Sequence, residues 1–248
     1  MDWKSDWREV LVTEAKFLML RPVRPDMRRL GRHYLAFGLA ATWIAGVGRY
    51  WDHPKAQWWQ YAGLGSLAYI FVLALILWLL IWPLRPANWS YVGVLTFLGM
   101  TSPPAILYAV PVERFMSLGA AQSMNVAFLL AVAVWRVVLL VLFLLRSARL
   151  SPGLVAIAAP LPLALIVAAL AVLNLEHVVF DLMAGIRPED QSPHDAAYNV
   201  LIFMTLLSYI SSPLLLIMYL VAIGKAWTGP RPVESAPQEA LDESGRTP

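Results

Sequence analysis

Arg136 is the only charged residue between Phe115 and Leu145. Ten residues separate it from Arg146. At 1.5 Å per residue that is about 15 Å, near the midplane of a bilayer. A cation at that depth is costly and must face protein or water. Asn125 stands close to three full turns before it, and Gln122 lies near the same helical face. The apolar stretches contain no acid. Backbone carbonyls are therefore the expected partners of Arg136. Thr101-Ser102-Pro103-Pro104 supplies them, because two prolines remove two amide donors and free the carbonyls of Gly99 and Met100. Ser211-Ser212-Pro213 frees the carbonyl of Tyr209 in the same way, and Pro160 and Pro162 mark another irregular helix. The residues read as a ligand or ion path are Arg136, Asn125, Gln122, Thr101, Ser102, Pro103, Pro104, Ser212 and Pro213. Three uses stay open. The prolines can be kinks that pack together and hold Arg136. The site can take an anion or a lipid headgroup. The two Ser-Pro steps can be matching breaks of an inverted repeat, the usual place of a transporter site.

A second set of groups could bind metal or titrate. Asp52-His53, Glu176-His177 and His194-Asp195 each place an imidazole beside a carboxylate. Asp181 is four residues after His177, on the same face of a helix. His53, Glu176, His177, Asp181, His194 and Asp195 form the metal candidates, with a pH-sensitive surface or an ordinary acidic loop as the alternatives. No dense ligand motif accompanies them. With no cysteine in the chain, disulfides and thiolate sites are excluded.

A third set can meet lipid. Residues 3–20 read as an amphipathic helix. Trp3, Trp7, Leu11 and Leu18 form its apolar face, and Asp6, Glu9, Thr13 and Lys16 the other. A basic patch follows at Arg21, Arg24, Arg28, Arg29 and Arg32. Each cation near an anionic surface contributes about 1 kcal/mol. The same charges also serve as a topology signal.

The elements that position these groups are membrane helices. Hydrophobic residues make up 59% of the 248 and charged residues 14%, against about 25% charged in soluble domains. That excludes an ordinary cytosolic enzyme. The net charge of +3 carries no nucleic-acid-binding field. The fold expected is an all-α transmembrane bundle of about six spans, at 34–50, 61–82, 89–111, 121–145, 152–175 and 199–223, or five if the first is re-entrant. Residues 1–33 form a cytoplasmic segment, 34–224 the membrane domain and 225–248 a disordered tail. The first 33 residues show no cleavable leader, so the first span is expected to stay.

Fourteen Lys and Arg fall on the side of both termini and four on the other. Both termini are therefore expected in the cytoplasm. Arg outnumbers Lys 15 to 4, a usage expected of a high-GC bacterium and its inner membrane. In layout the chain resembles the Yip family: a cytosolic N-terminal segment, then a cluster of apolar helices with polar kinks. The likeness rests on Thr96-Phe97 through Thr101-Ser102-Pro103-Pro104 and on the Arg-flanked hairpin Arg146–Ser151. It spans about residues 10–175. It implies a non-enzymatic role in membrane organisation and carries over no site residue.

The leading expectation is a non-enzymatic membrane protein acting through lipid, anionic lipid included, or through a protein partner or a second copy. No cofactor or nucleic acid is expected. The alternative is a transporter of small anions at Arg136. The third reading is a membrane-embedded enzyme built on the outer His/acid pairs.

Overall fold

The computed structural model describes residues 3–23, 25–51, 56–175 and 196–228, and no strand occurs among them. The helices are α1 (Trp3–Leu18), α2 (Met27–Tyr50), α3 (Trp58–Tyr61), α4 (Leu64–Ile81), α5 (Tyr91–Met100), α6 (Leu118–Arg146), α7 (Pro152–Ala158), α8 (Pro160–Val172) and α9 (Ala196–Thr228). Short 3-10 helices cover Trp82–Leu84, Pro103–Ala109 and Val112–Arg114.

Local chemistry sets the helix starts. Asp26 caps α2 by accepting from the Arg29 amide at 3.0 Å. Ser90 caps α5 through the Gly93 amide at 3.1 Å. Ser151 caps α7 with Pro152 at its first position, where the missing N–H costs nothing. Gly63 precedes α4 with φ +65, and a Cβ there would lie 2.8 Å from the Trp43 carbonyl oxygen. Only glycine suits both the backbone angle and the space.

Four helical stretches are long and apolar enough to cross a membrane: Leu64–Leu84, Gly119–Arg146, Pro152–Val172 and Asn199–Thr228. The pair Tyr91–Met100 and Pro103–Ala109, bent by 47°, makes a fifth if counted as one span. These are the features of a multi-pass membrane protein. α2, the expected first span, is not among them. Arg28, Arg29, Arg32 and Arg49 charge its two ends. Its middle nevertheless threads the bundle, with Gly38, Thr42, Ala45 and Gly46 buried. The boundary drawn at residue 33 falls inside α2, and the one at 224 falls inside α9.

The main core joins Ile70, Ala74, Leu77 and Ile81 of α4 to Val94, Leu95, Phe97 and Leu98 of α5, Leu139, Leu140 and Leu144 of α6, and Tyr219 and Ala222 of α9. Phe97 and Phe143 stack at 4.1 Å between ring centres. Indole N–H groups clamp the periphery. Trp43 donates to Ala62, Trp51 to Ala109, Trp89 to Trp78, Trp135 to Leu18 and Trp227 to Pro83, all to backbone carbonyls. Each of these tryptophans thus ties its own segment to another as a hydrogen-bond donor.

The contacts define two ends. At one, the Ala87 amide donates to the Ala148 carbonyl at 2.9 Å, and Arg85 stacks over Trp227 at 4.3 Å. At the other, Arg114 stacks over Trp51 at 5.0 Å.

Candidate functional site

The break after α5 follows from its prolines. The Ser102 amide takes the Gly99 carbonyl at 3.0 Å, so that carbonyl is not free as expected. Past Pro103 and Pro104 the chain tightens to a 3-10 pitch, and the Ala105 amide donates to Ser102 O at 2.9 Å. In an α-helix the Ala105 amide would have gone to Thr101 O. The Thr101 carbonyl is thereby released, and Arg136 Nε donates to it at 3.1 Å. A backbone carbonyl is the partner expected from the sequence, displaced from Gly99 and Met100 to Thr101.

Hydroxyls occupy the rest of the break. Thr101 Oγ1 donates to Leu98 O at 2.7 Å. Thr42 Oγ1 on α2 donates to Gly38 O at 2.8 Å and lies 2.7 Å from Ser102 Oγ. Ser102 Oγ also lies 3.3 Å from Leu98 O, so each hydroxyl has a carbonyl of its own helix within reach and either one can donate across the pair. All three residues are buried. This small polar layer locks α2 to the break beside Arg136.

Tyr69, Tyr108 and Arg49 are the electrostatic neighbours of Arg136. The Arg49 guanidinium lies over the Tyr108 ring at 4.5 Å. The only ion pairs among the described residues belong to Arg29. Two cations and two phenols thus share a region without a described carboxylate partner. That arrangement suits an anion.

The other path candidates do not join it. Asn125 and Gln122 are half-buried and engaged in interactions of their own. Their helical rise puts them about 16 and 21 Å from Arg136 along α6. They share its face but not its site. Ser212 and Pro213 sit in α9, which runs unbroken from Ala196 to Thr228 with Pro213 inside it. The expected break at Ser212-Pro213 is therefore absent, and with it one of the two matching breaks of the inverted repeat. A lone proline can be absorbed by a long helix, whereas two in succession redirect the chain.

The metal candidates His53, Glu176, His177, Asp181, His194 and Asp195 lie outside the described residues. So do Arg24 and the segment 229–248. Among the described residues no group of three or more His, Cys, Asp or Glu is placed to hold a metal.

Arg21, Arg28 and Arg32 are exposed. Arg29 differs: it pairs with Glu9 and lies 3.8 Å from both Asp6 and Asp26. It staples α1 to α2, so its charge is already partnered within the protein.

The face of α1 also differs from expectation. Asp6, Val10 and Glu14 are its buried residues, and Phe17 meets Phe97 edge-on at 6.1 Å. Trp3 is 67% exposed and Leu11 53%. Asp6, which the sequence assigns to the solvent face, turns inward. Glu14 is 3% exposed, neither carboxyl oxygen has a hydrogen-bond partner, and burial pushes its carboxyl up to about 8. The 6-10-14-17 spacing is the signal that could have revealed this face.

No family model, curated protein or solved structure matches the chain. The resemblance to the Yip family thus gains no support beyond the residues that suggested it.

Proposed function

We propose that the chain is a non-enzymatic integral protein of a bacterial inner membrane, crossing it six times with both termini in the cytoplasm, and acting through lipid or partner contacts. The observation that carries this reading is the outward side of α1. Trp3, Leu11, Val12, Met19 and Leu20 stand exposed there, next to exposed Lys4, Arg8 and Lys16 and close in sequence to exposed Arg21, Arg28 and Arg32. An apolar strip edged by cations fits the headgroup layer of an anionic membrane. The sixth span in this reading is α2. It runs beside the break and the 3-10 half of the bent span, from Gly38 against Gly99 to Gly48 against Ala109.

Two measurements test it. Native mass spectrometry after gentle release should find anionic lipid on the wild type and less of it on an Arg21→Gln, Arg28→Gln, Arg32→Gln variant. Equal lipid retention rejects the α1 surface. Single cysteines at Ser147 and Met116 should label from opposite sides of the membrane. Labelling from one side rejects the topology.

A second reading, transport of a small anion, is favoured by the Arg136 and Arg49 guanidiniums beside Tyr69 and Tyr108. Anion flux in proteoliposomes that is unchanged by Arg136→Ala counts against it for each solute tried.

A further inference from the structure

The seam between α1 and α2 contains buried polar atoms that nothing satisfies. Both carboxyl oxygens of Glu14, the Trp7 indole nitrogen and His33 Nδ1 have no hydrogen-bond partner. Trp7 and His33 meet edge-on at 5.4 Å. Buried polar groups are normally paired, so several unpaired ones from both helices of one seam point to a contact that is made conditionally.

The groups packed around that face are accounted for. From α2 come Arg29, His33 and Tyr34. Arg29 is held by Glu9, Asp6 and Asp26, and the Tyr34 hydroxyl is a further buried group without a hydrogen-bond partner. From α5 come Phe97 and Met100, neither of which ionises. From α6 comes Trp135, whose indole holds Leu18 O at 3.0 Å, and its neighbour Arg136 is bound to Thr101. On α1 itself the charged neighbours are Asp6, Glu9 and exposed Lys16. None of them bonds to Glu14.

We propose that Glu14 is a proton-operated latch, whose neutral form lets α1 seat on the bundle and whose ionisation releases α1 toward the membrane surface. The seam stays closed only while the carboxyl is neutral, because an unpaired carboxylate cannot be buried cheaply. The carboxyl titrates at about 8 when seated and at its ordinary 4.5 when released. The seated state therefore binds the proton throughout that interval while the released state has lost it. Seating is strongest below the lower value and weakens as pH rises to the upper one, about tenfold per pH step. A pivot is at hand: Leu20, just after α1, has φ 61. The free side of α1, with Trp3, Leu11 and Val12, faces away from the seam and can remain on lipid in either state.

The test uses the full chain in lipid nanodiscs. The chain lacks cysteine, so spin labels can be placed at Ala15→Cys and Ala40→Cys, both at exposed positions. The wild type should give one short distance at about pH 6 and a growing longer population toward about pH 9. Glu14→Gln should hold the short distance at both. Infrared spectra of the wild type should show a protonated carboxyl band that fades at a midpoint between 4.5 and about 8, in step with the opening, and is absent from Glu14→Gln. The proposal is overturned by a wild-type distance that ignores pH, by a Glu14→Gln variant that opens as the wild type does, or by a carboxyl already ionised at about pH 6. Should Glu14→Gln fail to fold, the wild-type infrared titration decides alone.

Discussion

A Cβ built on Gly38 would stand 2.8 Å from the Cα of Gly99. The two helices touch backbone to backbone, four residues before the Thr42–Ser102 hydroxyl pair and two before the carbonyl that Arg136 takes. This crossing sets how closely α2 approaches the break in the neighbouring span.

Gly38→Ala should lower stability despite the better helix propensity of alanine. Propensity favours the change by about 1 kcal/mol, but overpacking costs about 1–3 kcal/mol. Here the clash is with backbone and no rotamer relieves it. Gly99→Ala should behave alike. Gly224→Ala, whose Cβ would meet nothing within 4 Å, should raise the melting temperature. Thermal melts of the three variants in one detergent check the ordering.

Arg136→Ala should cost about 1–3 kcal/mol, because it leaves the buried Thr101 carbonyl without its donor. Arg136→Lys keeps a cation but not the Nε donor geometry and should restore only part of the loss. Melting midpoints and protein yield measure both. Stability equal to wild type in Arg136→Ala would mean that the bond to Thr101 contributes nothing.

Thr42→Val and Ser102→Ala should be non-additive. The pair lies 2.7 Å apart and buried, so a double-mutant cycle should return a coupling of about 1 kcal/mol. Additive effects would show that each hydroxyl serves only its own helix, through Gly38 O or Leu98 O.

Pro213→Ala should be neutral or stabilising, because α9 already runs through this position and the change returns an amide donor to the Tyr209 carbonyl. Pro103→Ala with Pro104→Ala should instead destabilise. It lets an α-helical pitch continue, so the Ala105 amide competes for the Thr101 carbonyl that Arg136 uses. Circular dichroism and melting together separate the two cases.

The seam of α1 carries its own pH dependence. Glu14→Gln should remove the loss of α1 seating between about pH 5 and 8, because the amide cannot ionise. It should leave the Arg136 site untouched, since Glu14 makes no bond to it.

Composition and the length of uncharged runs determined the all-helical, multi-pass character of the chain, because a bilayer demands long apolar helices whatever their arrangement. The same reading picked out Arg136, its backbone-carbonyl partner and the bend at Pro103-Pro104, since proline chemistry is local. Tertiary structure decided the rest. Which carbonyl is released depends on the 3-10 pitch taken after the prolines, so the partner is Thr101 and neither Gly99 nor Met100. Ser212-Pro213 carries a sequence signal similar to Ser102-Pro103, yet α9 continues through it, because one missing amide is tolerated where two are not. The uncharged run 34–48 suggests a first span, but α2 carries arginines at both ends and is not among the helices apolar enough to cross; Gly38, Thr42 and Gly46 let three neighbours close around it. α1 has two plausible buried faces in the sequence. Only packing against Leu30, Tyr34 and Phe97 selected the one that takes Asp6 and Glu14 inside, because a helix face is chosen by the partner it meets as well as by its own pattern.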